Sequence, residues 1–177
     1  DVFIANGVTG DYFNSDLLAQ FAASGAAAKE IKLPEKRDAN LAYRNVGNLT
    51  FEDVSREWGL GEENVSFGAA LADLDNDGDL DLVVNNVDGP AFVFVNNVRE
   101  RYAASSHFLR FRFYKAPGAF NEVYGVTVKL TDAKGNIQLQ HYHPQRGFIS
   151  GMEHVLHFGT GAETVIPKVE VIFPGQK

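Results

Sequence analysis

Apolar and polar residues alternate with a period of two along much of the chain, the pattern of strands that bury one face. Arg110, Phe111, Arg112 and Phe113 alternate strictly, which puts both rings on one face and both cations on the other. Val126, Val128 and Leu130 alternate with Thr127, Lys129 and Thr131. Beyond a turn at 132–136, Ile137 and Leu139 alternate with Gln138 and Gln140, which predicts a hairpin whose Ile137/Leu139 side is dry. Val169, Val171 and Phe173 supply a last strand before Pro174-Gly175. In the first half, apolar-rich strands at 67–71 and 80–85 flank an acidic loop, and a strand at 91–95 follows the turn formers Asp88-Gly89-Pro90. One segment reads differently. Asn14 or Ser15 can cap a helix over residues 15–29, with Asp16 in its first turn and Leu17, Leu18, Phe21 and Ala22 on one side. Gly25 weakens its second half. The expectation is a mainly β chain with one inserted helix.

A degenerate internal repeat is also present. Asp1-Val2-Phe3-Ile4-Ala5-Asn6-Gly7 matches Asp81-Leu82-Val83-Val84-Asn85-Asn86-Val87 in pattern, and Tyr43-Arg44-Asn45-Val46 matches Phe94-Val95-Asn96-Asn97. From Asp1 to Tyr43 is 42 positions, and from Asp81 to Phe94 is 13, so the first copy carries an insertion of 29 residues that includes the helix. In this alignment Asp1 corresponds to Asp81. The reading is of a piece of a longer array, with further repeats upstream.

Composition narrows the classes. The 177 residues carry a net charge of -7, with 45% hydrophobic and 22% charged side chains, as in a globular chain. No stretch approaches the ~18 apolar residues of a membrane-spanning helix. Asp1-Val2-Phe3-Ile4 has neither a starting Met nor the charged n-region of a signal peptide, which suggests a processed or trimmed chain. The absence of cysteine excludes disulfides, a thiolate zinc site and cysteine catalysis. Charge is uneven: residues 1–100 hold 18 acidic and 7 basic side chains, residues 101–177 hold 5 and 9. Two differently employed halves are expected, and the acidic balance argues against nucleic acid as a partner.

The nonapeptide Asp73-Leu74-Asp75-Asn76-Asp77-Gly78-Asp79-Leu80-Asp81 is the most informative stretch. Its five carboxylates fall at every second position, with no cation among them. Asp73, Asp75 and Asp77 can curl around one centre because Gly78 permits positive φ. Asp79 would add its backbone carbonyl, and Asp81 would close the shell. Hard oxygen donors of this kind suit Ca²⁺; without His or Cys, nothing favours zinc or copper. It is not a helix–loop–helix calcium hand, whose twelfth position needs Glu and here is Val84. The alternative is a solvated acidic turn, but five like charges repel and a cation relieves them.

Residues 67–82, from Phe67-Gly68-Ala69-Ala70 through the nonapeptide to Leu82, resemble an FG-GAP repeat, the calcium-binding blade unit of integrin-α-type β-propellers. The resemblance spans about residues 41–97, and Tyr43-Arg44-Asn45 with Leu49-Thr50-Phe51-Glu52-Asp53-Val54-Ser55 is similar to the linker between successive repeats. It implies Ca²⁺ ligation by Asp73, Asp75, Asp77, the Asp79 carbonyl and Asp81. The chain holds one full repeat and part of another, too few to close a propeller. Residues 107–177 resemble an ASPIC/UnbV domain, as found after FG-GAP repeats in secreted proteins related to cartilage acidic protein. The matching residues are Gly125-Val126-Thr127-Val128, Gly147-Phe148-Ile149-Ser150, Leu156-His157-Phe158-Gly159-Thr160-Gly161 and Val169-Glu170-Val171-Ile172-Phe173-Pro174-Gly175. Phe173 stands where that family usually has Trp, and Thr160 where it usually has Leu. The resemblance carries no catalytic residues across.

These readings give a repeat region over 1–100 and an ASPIC/UnbV domain over 107–177, the latter a small antiparallel sandwich-like fold. Four histidines need separate weighing. His141 and His143 share a strand face, and His154 and His157 are three apart. By parity His141 and His143 continue the Ile137/Leu139 face, so half-buried packing is expected rather than a zinc site. Arg110 and Arg112, with Lys115 and Lys129, read as a solvated strand face. No nucleophile elbow, phosphate loop or zinc-protease helix occurs. The function expected is therefore non-catalytic: a calcium-binding module of a secreted, periplasmic or cell-surface protein that meets a glycan or another protein. The alternatives are an accessory piece of a metal-dependent hydrolase using His141, His143 and His157, or a purely structural propeller cap.

Overall fold

The computed structural model describes residues 1–7, 10, 14–24, 37–114 and 123–175. The fold is mainly β, built from thirteen short strands and two helices among the described residues. In chain order they are β1 (Val2–Ile4), α1 (Ser15–Ala23), β2 (Asp38–Ala39), β3 (Leu41–Gly47), β4 (Thr50–Asp53), β5 (Glu63–Asn64) and β6 (Ser66–Ala72). There follow β7 (Asp81–Asn86), β8 (Phe92–Phe94), α2 (Val98–Tyr102), β9 (His107–Phe111), β10 (Thr127–Thr131), β11 (Ile137–His141), β12 (Leu156–Gly161) and β13 (Lys168–Ile172). The sheets are small: β1-β3-β4, β2-β5, β6-β7-β8, β9-β12 and β11-β10-β13.

The expected helix forms, and Asn14 is its cap, its side chain accepting from the Leu17 amide at 3.0 Å. The helix ends at Ala23, short of the predicted span, and residues 25–29 lie outside the described residues. None of its residues is buried. The short helix α2 had no capping or periodic signal in the sequence; Asn97 makes no side-chain cap bond.

The described chain divides into two compact units. The first comprises Asp1–Ala69 with Val84–Phe92, and the second Ala70–Val83 with Val93–Lys177. The first buries Ala42, Val54, Val65 and Val84 together with the polar residues Asn40, Ser66 and Asn86. Those polar groups are joined in a relay: Asn40 Nδ2 donates to Ser66 Oγ at 3.0 Å, and Ser66 Oγ donates to Asn86 Oδ1 at 2.7 Å. Asn86 Nδ2 then donates to the Pro90 carbonyl at 2.8 Å. A fully satisfied buried network of this kind holds one arrangement of the loops it joins.

The second unit has the larger apolar core. Val126, Val128, Leu130, Tyr142, Leu156 and Phe158 are nearly inaccessible, with Leu109, Phe111 and Phe113 packed on them. Each such side chain contributes roughly 1.5–3 kcal/mol of burial. The rings pack edge to face, Phe111 on Phe158 and Phe113 on Tyr142. The Phe111/Phe113 face is dry, as its alternation predicts.

The β11 side of the hairpin is reversed from expectation. Ile137 and Leu139 are 59% and 61% exposed, and His141 and His143 are exposed with them. The register explains this: Val128 pairs with Gln140 and Leu130 with Gln138, and directly opposed residues share a face. The glutamines thus share the face of Val128 and Leu130, Gln140 half-buried and Gln138 exposed, and there Gln138 Nε2 donates to the Gly159 carbonyl and Gln140 Nε2 to that of His157. Two long amides that reach the backbone of β12 displace the aliphatic pair to solvent.

Candidate metal centre

The acidic turn joins β6 to β7 and belongs to the second unit. Its aspartates bond two residues ahead along the chain. The Asp77 amide donates to Asp75 Oδ1 at 3.2 Å and the Asp79 amide to Asp77 Oδ1 at 2.9 Å, so each carboxylate curls the backbone inward. Two left-handed positions complete the curl, Asn76 at φ 63° and Gly78 at φ 98°. Asn tolerates that region, and Gly is needed at 78 for a second reason: a Cβ there would collide with the Phe108 ring. Asp73, Asp75 and Asp77 are thereby brought together, each offering an oxygen within 4.8 Å of the others. Asp73 is buried, Asp77 intermediate and Asp75 exposed.

Asp79 and Asp81 lie outside this trio. Asp81 is 1% exposed, and both its oxygens accept backbone amides, Oδ2 from Leu74 at 2.8 Å and Oδ1 from Asn96 at 2.9 Å. It ties the start of the turn to the segment just beyond β8. The first repeat makes the equivalent bond: Asp1 Oδ1 accepts the Asn45 amide at 2.8 Å. Asn45 and Asn96 also each accept the amide two residues on, from Gly47 and Val98. The alignment of Asp1 with Asp81 and Asn45 with Asn96 therefore holds at the level of individual hydrogen bonds. Asp79 is buried, and Oδ2 accepts the Arg99 amide at 3.0 Å. Burial pushes its carboxyl above the ordinary carboxylate range; the Arg99 amide opposes this, and the charges of Asp77, Asp81 and Asp75 add to the rise.

Two oxygens are left over. Asp73 Oδ1 and Asp79 Oδ1 are buried and have no hydrogen-bond partner. A buried acceptor without a partner costs about 1–3 kcal/mol, more for a charged group. An oxygen-only donor set with an orphaned carboxylate oxygen inside it matches what a hard divalent cation requires. The residues present fit such an ion.

The scaffold around the turn comes from residues whose role the sequence did not reveal. Arg110 on β9 donates from Nη1 to Asp73 Oδ2 at 2.8 Å and from Nη2 to Glu153 Oε1 at 2.9 Å. Arg112 donates to the same Glu153 oxygen. The Arg110/Arg112 face is thus an ion-pair network rather than a solvated strand face, because the acidic partners lie 37 to 43 residues away in sequence. Arg99 donates from Nε to the Asp77 carbonyl at 3.2 Å, with its guanidinium over the Phe108 ring. His157 Nε2 meets the Gly78 carbonyl at 2.8 Å, so that nitrogen carries the proton, and its ring stacks on Phe108. Only Asn96 had a sequence signal, its match to Asn45 in the repeat.

The histidines are not brought together. His141 Nδ1 bonds Thr127 Oγ1 at 2.8 Å, His143 Nδ1 lies 2.9 Å from the Gln145 carbonyl, and His157 faces Gly78. The His154 carbonyl accepts from the Tyr142 hydroxyl. Among the described residues, Asp73, Asp75 and Asp77 form the one group of three or more His, Cys, Asp or Glu close enough to share an ion.

Comparison with known families finds a match in each half of the chain. An FG-GAP-like repeat matches residues 13–84, and ASPIC and UnbV matches residues 119–177. No curated protein matches the sequence significantly. Segments of these two kinds are typical of extracellular or cell-envelope proteins. Among the described residues no helix is long and apolar enough to cross a membrane. Residues 13–84 are thus an FG-GAP-like repeat segment, of the β-propeller type, and residues 119–177 that follow are an ASPIC and UnbV domain.

Proposed function

We propose that the turn at 73–81 binds one Ca²⁺, and that the chain is a non-catalytic module of an extracellular or cell-envelope protein, presenting loops to a glycan or a protein partner. The observation that carries the calcium reading is the buried, unpartnered carboxylate oxygen Asp73 Oδ1 within the close aspartate trio. Asp73, Asp75 and Asp77 would hold the ion by their carboxylates and Asp79 by its carbonyl. Asp81 would join through a lone pair that its two amide bonds leave free. The ion supplies charge neutralisation and nothing else. With it bound, the turn keeps one shape, and so do the strands β6 and β7 that it links.

The non-catalytic reading is supported by His141, His143 and His157, each of which is hydrogen-bonded to a different partner. The test is thermal unfolding with excess Ca²⁺ and with chelator. A higher melting temperature in calcium, abolished in Asp75→Ala, is expected; identical melting with and without chelator would sink the calcium reading.

A further inference from the structure

We propose that Arg110 is a resident cation of the acidic turn, one that competes with the bound metal for Asp73 and thereby sets the affinity of the site. The inference rests on the reading of the turn as a Ca²⁺ site and concerns how this chain regulates it. Arg110 and His157 are directly opposed in the β9–β12 pairing, so their side chains emerge on one face. Both reach the turn, His157 to the Gly78 carbonyl and Arg110 to Asp73. The Asp73 side chain is fully inaccessible, and the Arg110 side chain is only 27% exposed, so water screens this pair less than a surface pair. Glu153 holds the other end of the guanidinium and keeps its charge at the turn.

The consequence follows from electrostatics. Arg110 neutralises one of the five negative charges and occupies Asp73 Oδ2, leaving Oδ1 as the oxygen free to meet an ion. A divalent cation bound by Asp73 sits within a few ångströms of that guanidinium and is repelled by it, because water screens charges this close and this buried only weakly. Arg110 therefore stabilises the metal-free turn and opposes the metal-bound one. Part of the turn's charge is thus balanced without metal, at the cost of tight binding.

The experiment is calorimetric titration of the full chain with CaCl₂ at fixed ionic strength, for wild type, Arg110→Gln, Arg110→Lys, Arg112→Gln and Glu153→Gln. Arg110→Gln should lower Kd about tenfold. Arg110→Lys, which keeps the charge, and Arg112→Gln, which removes a charge that does not touch Asp73, should each stay within about threefold of wild type. Glu153→Gln, which leaves Arg110 to Asp73 alone, should weaken binding, and it decides the matter if Arg110→Gln does not fold. Equal or weaker binding by Arg110→Gln, or tightening by Arg112→Gln as large as that of Arg110→Gln, overturns the competition while leaving the calcium site standing. A wild type that takes up no calcium removes the site itself, and the inference with it.

Discussion

In the turn between β10 and β11, Asp132 is satisfied by its own neighbours. Its Oδ1 accepts the amides of Lys134 and Asn136, both at 2.8 Å, and its Oδ2 accepts Asn136 Nδ2 at 2.8 Å. In the turn between β6 and β7, Asp73 has a guanidinium on one oxygen and nothing on the other, and Asp79 likewise has one orphan. The two carboxylates shift in opposite directions. The Asn136 side chain, the largest influence, and the turn amides hold Asp132 below the usual range, whereas burial lifts Asp79 above it. Aspartate in a turn is thus no sign of a site by itself. A carboxylate that the chain satisfies is a structural staple, and one that the chain buries and leaves wanting is a place for a ligand.

The largest effect that separates the two turns should come from their glycines. Gly78 and Gly135 both have positive φ, 98° and 85°. Gly78→Ala also drives a methyl into the Phe108 ring, whereas Gly135→Ala meets nothing within 4 Å. We expect Gly78→Ala to lose roughly 3 kcal/mol or more from strain and overpacking combined. Gly135→Ala should lose about 1 kcal/mol, the backbone term alone. Equal losses in urea denaturation would mean that Phe108 does not press on the acidic turn.

Next in size is the response to calcium. At a hundredfold excess over Kd, a ligand bound only by the folded state adds about 2.7 kcal/mol. Asp77→Asn should forfeit most of that gain, and Asp132→Asn none of it, as read from paired melts with and without chelator. Loss of the response in Asp132→Asn would place the ion at the wrong turn.

Smaller still is the staple itself. Asp132→Ala removes three hydrogen bonds from an exposed turn and should lower the melting temperature slightly, by the same amount in calcium and in chelator. The least effect is acid sensitivity. The folded-state value of Asp132 lies below its ordinary 3.8, so the unfolded chain binds more protons in the interval between the two. Its contribution is present above that ordinary value and is lost as pH falls through the lowered one. Asp132→Asn should flatten that part of the acid limb; an unchanged limb would show that the turn amides do not hold the carboxylate.

Legibility in the sequence followed the range of the interaction. The β10 face of Val126, Val128 and Leu130 could be read from period two because a strand's own covalent geometry sets it. The Asp75-to-Asp77 and Asp77-to-Asp79 curls were readable for the same reason, since each spans two residues. The repeat aligned Asp81 with Asp1 and Asn96 with Asn45, and the structure makes the same bond in both copies. The β11 face was not readable, because Ile137/Leu139 and Gln138/Gln140 both alternate and only the partner strand's register chooses between them. Nor was the fate of Arg110, whose partners are 37 and 43 residues away.

The amino-acid order by itself determined a mainly β chain, a capped helix, two related repeats and a turn able to gather three aspartates around one point. These follow from dihedral preferences, alternation and bonds between near neighbours. Tertiary structure alone decided which carboxylate oxygens are engaged and which are orphaned. It set Asp81 as a backbone tie, Asp73 as half paired with Arg110, and Asp79 as buried beside Arg99. The physical reason is that desolvation and charge pairing depend on what is packed nearby, and the neighbours of this turn come from β9, β12 and α2, far along the chain.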